Sequence, residues 1–212
     1  MTSRDLKSVN GSDRGVRISL PGPEELSKEQ RRVYDDMLAG PRGMVVGPIR
    51  AAIHSPVLAD RWQKLGEFVR YHTILPEKLT ELSIIASARR WNSEVEWCIH
   101  RGIAEKAGVS PQIIDALKEG VVPDFPDESM REVYAFTQEL QMTGKVSDAT
   151  YLAVKERWGE QGVVELTGVV GYYTMVAMML NAHHVPLPDG TEPQFGYADD
   201  GQPDNLSALP AS

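Results

Sequence analysis

The sequence predicts an all-α protein: a single helical domain with an irregular extension at each end. Three observations carry that prediction. Apolar residues recur at three- and four-residue spacing in one segment after another, the period of a helix face. No segment alternates apolar and polar residues as a half-buried strand would. The chain has 212 residues, 42% hydrophobic and 25% charged, enough for one sizeable core that needs neither a disulfide nor a metal. The helical domain is expected over residues 27–188, between an N-terminal arm at 1–26 and a tail at 189–212.

In chain order, the first 26 residues are polar and punctuated by glycine and proline, which predicts an extended or disordered arm. Ser27 then reads as an N-cap, with Gln30 at the capping-box position, for a helix running to Leu38. Gly40-Pro41 stops it, and residues 40–56, with three glycines and three prolines, read as a packed loop. The next helix is expected from Pro56 to Tyr71, with Leu58, Trp62, Leu65 and Val69 as its inner stripe. Pro76 opens another that runs to Arg90. Asn92-Ser93 ends it and caps a helix to Ala107, which Gly108 terminates. Ser110-Pro111 starts a short helix ending near Gly120. After a proline loop, helices are expected at about 127–141, 147–158 and 160–182. The proline- and glycine-rich tail should have no regular structure.

Composition narrows the partners. A net charge of −8 argues against nucleic acid or an anionic membrane, both polyanions. The single cysteine, Cys98, excludes an intramolecular disulfide. The polar N-terminus lacks the apolar core of a signal peptide. The richest apolar run, Val163 to Leu180, holds Glu165 and two glycines and reads as a buried helix that faces the core or another subunit. A cytoplasmic location is expected.

The informative stretch runs from Glu81 to His100, ELSIIASARRWNSEVEWCIH. Glu96, His100, Ile103 and Ala107 share one helix face, and Glu81 sits on the apolar stripe of Ile84, Ile85 and Ala88. Burial raises a carboxyl pKa, and a nearby carboxylate raises that of an imidazole. Glu81, Glu96 and His100 are therefore candidates for general acid–base catalysis. The same spacing fits a buried polar pair that only fastens two helices, or a Glu81 bridged to Arg89, Arg90 or Arg101.

The run ELSIIASARRWNSEVEWCIHRGIAEKAG, with IHSPVLA before it and GVVGYYTMVAMMLNAHHVPLP after it, resembles the carboxymuconolactone decarboxylase family, related to the alkyl hydroperoxidase D-like proteins. The resemblance covers about residues 29–188. It implies an all-helical fold that assembles as a homo-oligomer, commonly a trimer or a multiple of one. In the peroxidase branch a Cys-x-x-Cys is followed by a histidine with three residues between, and a glutamate stands on the preceding helix. Glu81 and His100 match the glutamate and histidine, whereas the two cysteines fall on Ser93 and Glu96. A dithiol peroxidase cycle is thus excluded. By the resemblance, the reaction is cofactor-independent chemistry on a small cyclic carboxylic acid or lactone, with His100 as proton donor or base, Glu96 tuning it, and Glu81 as a further acid–base or orienting group.

Around that centre, Arg89 or Arg101 is a candidate to grip a substrate carboxylate in a bidentate fork. His54, Trp97 and Tyr172 are the other candidate substrate contacts, each also readable as a packing residue. No metal or cofactor site is expected, since His183 and His184 are adjacent and no further ligand has matching spacing. Cys98 reads as an inert thiol. A thiol-dependent peroxidase using Cys98, or a non-catalytic scaffold, are the alternative functions.

Overall fold

A computed structural model describes residues 15–41, 43, 45 and 47–195. The outer parts of both predicted extensions, 1–14 and 196–212, lie outside the described residues. Every regular element among the described residues is helical. The helices are α1 (Lys28–Ala39), α2 (Pro48–Ala52), α3 (Pro56–Tyr71), α4 (Glu77–Arg90), α5 (Glu94–Lys106), α6 (Pro111–Lys118), α7 (Glu128–Thr143) and α8 (Asp148–His183), preceded by a 3-10 turn at Pro23–Glu25.

α4 is the central helix. Ten consecutive residues, Leu79 to Ala88, are buried, because α5, α7 and α8 surround it. Two of its small polar side chains are satisfied inside the core. Ser83 Oγ meets Thr137 Oγ1 of α7 at 2.9 Å, and Ser87 Oγ donates to Ser83 O at 2.8 Å. One apolar cluster fills the space between α4, α6, α7 and the first part of α8. A second lies between α1, α2, α3 and the end of α8. α8 spans both.

The starts of the helices follow their local chemistry. Ser27 and Gln30 form the expected reciprocal capping box. Asp127 and Ser147 cap α7 and α8 through Met130 N and Thr150 N. Three expectations change. The loop after α1 contains α2, a five-residue helix too short to display a period, opened by Pro48 after a positive-φ Gly47. The two helices expected at 147–158 and 160–182 are one element, kinked at Gly159 (φ 68°), a conformation that costs glycine little. The inner face of α3 is rotated: Ala59, Trp62, Gln63, Gly66 and Val69 are buried, and Leu58 and Leu65 are exposed. Small Ala59 and Gly66 let the neighbouring helices approach, so the larger leucines stay outside.

The inner part of the N-terminal arm is ordered against the domain. Arg17 N donates to His183 O at 3.0 Å, Arg50 Nη2 donates to Leu20 O at 2.6 Å, and Ile18, Leu20 and Leu26 pack on the second cluster. α8 is long and apolar enough to cross a membrane, but 56% of its most apolar window is buried within this fold. Its one buried carboxylate, Glu165, accepts from Ile74 N (2.6 Å) and Gln161 Nε2 (2.8 Å), which fixes the α3–α4 loop.

Candidate active site

The turn between α4 and α5 decides which side chains meet. α4 ends with Asn92 in the left-handed region (φ 45°), and Ser93 N donates back to Ala88 O at 2.8 Å. This tight reversal lays α5 against α4. Glu81, one turn into α4, therefore faces His100, two turns into α5. His100 Nδ1 and Glu81 Oε2 are 2.8 Å apart, with 6% and 2% of the residues exposed. The imidazole edge stands on the ring of Tyr173 from α8, centroids 5.1 Å apart and planes at 84°. Tyr173 in turn makes an edge contact with Tyr172, which packs on Trp62.

Glu96 completes the cluster in a different state from Glu81. It is 2% exposed, and among the described residues neither carboxyl oxygen has a hydrogen-bond partner. Burial drives its pKa well above the ordinary carboxyl range, the nearby charge of Glu81 pushes it the same way, and the Ser93 hydroxyl opposes both. Ser93 and Glu96 stand side by side, although their contact does not close with normal hydrogen-bond geometry. The site thus sets the hydrogen-bonded Glu81–His100 couple beside a carboxyl group whose pKa burial pushes well above the ordinary range. The histidine's partner is Glu81 across the helix pair, and not Glu96 on its own helix face.

The predicted substrate contacts are dispersed. His54 is exposed, and its Nε2 lies 2.7 Å from Ser19 O, where it holds the N-terminal arm. Arg89 Nε donates to Lys118 O at 2.8 Å, and the guanidinium also bonds Asn92 Oδ1 and lies 5.0 Å from the Phe195 ring centroid. Arg101 Nη1 donates to Gln194 Oε1 at 3.0 Å. Trp97, fully buried, packs on Phe195. Three of the five candidates therefore hold the segment that leaves α8. Tyr172 alone of the five joins the site, through Tyr173.

Two residues beside the site escape sequence reasoning. Glu94, buried at the start of α5, accepts from Gln194 N (2.8 Å) and Phe195 N (2.6 Å), and burial raises its pKa against those two bonds. A carboxylate gripping a chain 100 residues away leaves no trace in local spacing. Ser93 is an N-cap by type yet makes no cap bond. Cys98 is half-buried, and desolvation, with the charge of Glu94, pushes its thiol up to about 11.

No protein-family model and no curated protein matches the chain. Solved structures do. An uncharacterized peroxidase-related protein from a Silicibacter species superposes with a TM-score of 0.67 at 12% identity, covering 86% of this chain and 96% of that one. The debrominase Bmp8, as a cysteine-to-alanine variant in complex with 2,3,4-tribromopyrrole, gives 0.65 at 15% identity, covering 84% and 94%. A protein of unknown function from Agrobacterium tumefaciens, provisionally named antioxidant defence protein AhpD, gives 0.57 at 14% identity, covering 68% and 99%. These likenesses concern the fold, which is all-α and alkyl hydroperoxidase D-like.

Proposed function

We propose that the protein is a cofactor-independent acid–base enzyme of the carboxymuconolactone decarboxylase type, acting on a small cyclic carboxylic acid or lactone. One observation carries the reading: the 2.8 Å Glu81–His100 couple is buried beside Glu96, whose pKa burial pushes well above the ordinary carboxyl range. Such a set offers a base and an acid in one dry site, which is what proton transfer at carbon requires. In a decarboxylation, the bond from the ring carbon to the carboxylate breaks, CO2 leaves, and the electron pair passes into a conjugated enolate. A proton from His100 or Glu96 then ends on carbon, and solvent restores it. Glu81 orients the imidazole through Nδ1, leaving Nε2 as the working nitrogen.

Assembly into a homo-oligomer and a cytoplasmic location belong to the same reading. The exposed Val57, Leu58, Leu65 and Phe68, all on one face of α3, support a subunit contact. The thiol alternative is weakened by Cys98 itself, since a group with a pKa of about 11 holds little thiolate at neutral pH.

The test is an NMR assay of small cyclic acids and carboxylated lactones in D2O, reading CO2 loss and deuterium entry at carbon. The expected result is turnover of at least one member that falls by about 100-fold or more in both His100→Gln and Glu81→Gln. Turnover indifferent to His100→Gln, or no exchange across the set, refutes the reading in favour of a structural polar pair.

A further inference from the structure

The proposed function leaves open how the substrate carboxylate is held, and Arg89 and Arg101 do not lie free for it. Arg89 is committed to Lys118 O, Asn92 and Phe195, and Arg101 to Gln194. The first turn of α5 offers a different set of donors. α5 has 13 residues, and among the described residues no acceptor meets the backbone N–H groups of Glu94, Val95 or Glu96. The N-cap side chain that would normally satisfy one of them, Ser93, makes no such bond. Ser93 is 0% exposed, and its Oγ has no hydrogen-bond partner among the described residues.

Glu96, in the same turn and 2% exposed, has two unpartnered oxygens. A buried hydroxyl and a buried carboxyl are costly to leave unbonded, and proteins rarely do so without a missing partner. The three N–H groups and the Ser93 hydroxyl can donate, and so can the acid form of Glu96, which burial favours. An acceptor seated at this turn would meet them together, and the positive end of the helix dipole favours one that carries negative charge. Glu81 Oε2 is engaged by His100.

We propose that the first turn of α5 is an oxyanion site in which Ser93 and Glu96, with the N–H groups of residues 94–96, bind the carboxylate of the substrate. Ser93 is then a binding residue for which neither arginine substitutes, and the bound acid stands next to the Glu81–His100 couple. This inference rests on the proposed function only for the reaction that follows binding. The binding itself is independent of turnover.

The experiment uses the intact protein and two unreactive probes, benzoate and its neutral analogue benzamide. Binding is followed by calorimetry and by the amide shifts of Glu94, Val95 and Glu96. The expected result is saturable benzoate binding that moves those three amides, with no comparable response to benzamide. Ser93→Ala should weaken benzoate by roughly five-fold, the loss of one hydrogen bond. Glu96→Leu should weaken it by about ten-fold or more, and it guards against a Ser93 variant that fails to fold. Arg101→Ala should keep wild-type affinity.

The inference is overturned if benzoate leaves the three amides unmoved, as a site filled only by structural water would. It is also overturned if Ser93→Ala and Glu96→Leu, both folded, bind as tightly as the wild type, or if Arg101→Ala is the variant that loses binding. Benzoate binding without turnover of any acid would reject the enzymatic reading and leave the site standing. Turnover that depends on His100, without benzoate binding at α5, would do the reverse.

Discussion

Replacing Glu81 or His100 singly should destabilise the fold far more than replacing both. The two groups are 2% and 6% exposed and meet at 2.8 Å, so each is the buried hydrogen-bond partner of the other. Glu81→Leu leaves a buried imidazole N–H without an acceptor, and His100→Leu leaves a buried carboxyl without a donor. Each orphan costs about 1–3 kcal/mol, and more where the remaining group keeps its charge. The double Leu variant has no orphan, and its apolar side chains join the clusters that already flank α4 and α5. It should therefore recover about 2–6 kcal/mol relative to the sum of the singles, the two orphan costs together. With a urea slope of about 2 kcal/mol per molar, a 2 kcal/mol effect moves the midpoint by about 1 M. Urea titrations of the four proteins, followed by circular dichroism, measure the cycle. Singles that sum to the double within about 0.5 kcal/mol would show that the contact carries no coupling, and the assigned partnership of Glu81 with His100 would fall.

Glu96→Gln tests the raised pKa of Glu96. A raised folded-state pKa means that Glu96 contributes fully below the ordinary carboxyl range and loses that contribution as pH rises through its raised value. The variant should therefore show a flatter loss of stability toward alkaline pH in thermal melts, with some slope remaining from Glu94, whose pKa is raised as well. Asp127→Ala removes the cap bond to Met130 N (2.9 Å) and should cost about 1 kcal/mol at pH 7 by urea titration. The bond from Ser129, with help from Met130 N and Lys78, lowers the Asp127 pKa to about 2, so its contribution is complete above the ordinary aspartate range and disappears as pH falls toward 2. The variant and wild-type curves should converge there. Gly162→Ala places a methyl group against Cβ of Trp158, an atom tied to the backbone of the kinked turn, and should lower stability by about 1–3 kcal/mol by the same titration.

Much of the fold was legible because its signals are local. Ser27 with Gln30, Pro56, Asn92-Ser93 and Ser110-Pro111 each act within one turn of the chain, and each marks a helix boundary in the structure. What could not be read depends on neighbours. α3 carries Leu58 and Leu65 on one side and Ala59 and Gly66 on the other, and hydrophobicity alone favours the leucines. The close packing of α1, α2 and α8 selects the small residues instead. Gly159 reads as a break, yet the helix continues through a kink because Val154, Val163 and Leu166 remain in one cluster on both sides of it. The candidate site divides in the same way. Periodicity put Glu96 and His100 on one face and both are buried. Only the reversal at Asn92 decides that His100 pairs with Glu81.

The arginines show what position along the chain leaves open. Arg89 and Arg101 flank the acid–base motif in sequence, which makes each a candidate for a substrate carboxylate. Arg89, Arg101 and Trp97 instead secure residues 194–195, and Glu94 holds the same segment by two backbone N–H groups. Glu94, Trp97 and Arg101 fall at three- and four-residue spacing on one side of α5, while Glu96 and His100 lie on another. One short helix thus has two polar jobs that do not share residues: one face fastens the chain end, and the other presents ionisable groups to Glu81 and Tyr173. The separation matters for chemistry. A guanidinium near Glu96 would favour its carboxylate and take away the proton that makes it a donor. With the arginines on the far face, desolvation controls Glu96, and the anion-attracting element left on the site face is the uncharged end of a helix. In the proposed oxyanion site, that arrangement would draw a carboxylate while leaving the pKa of Glu96 raised.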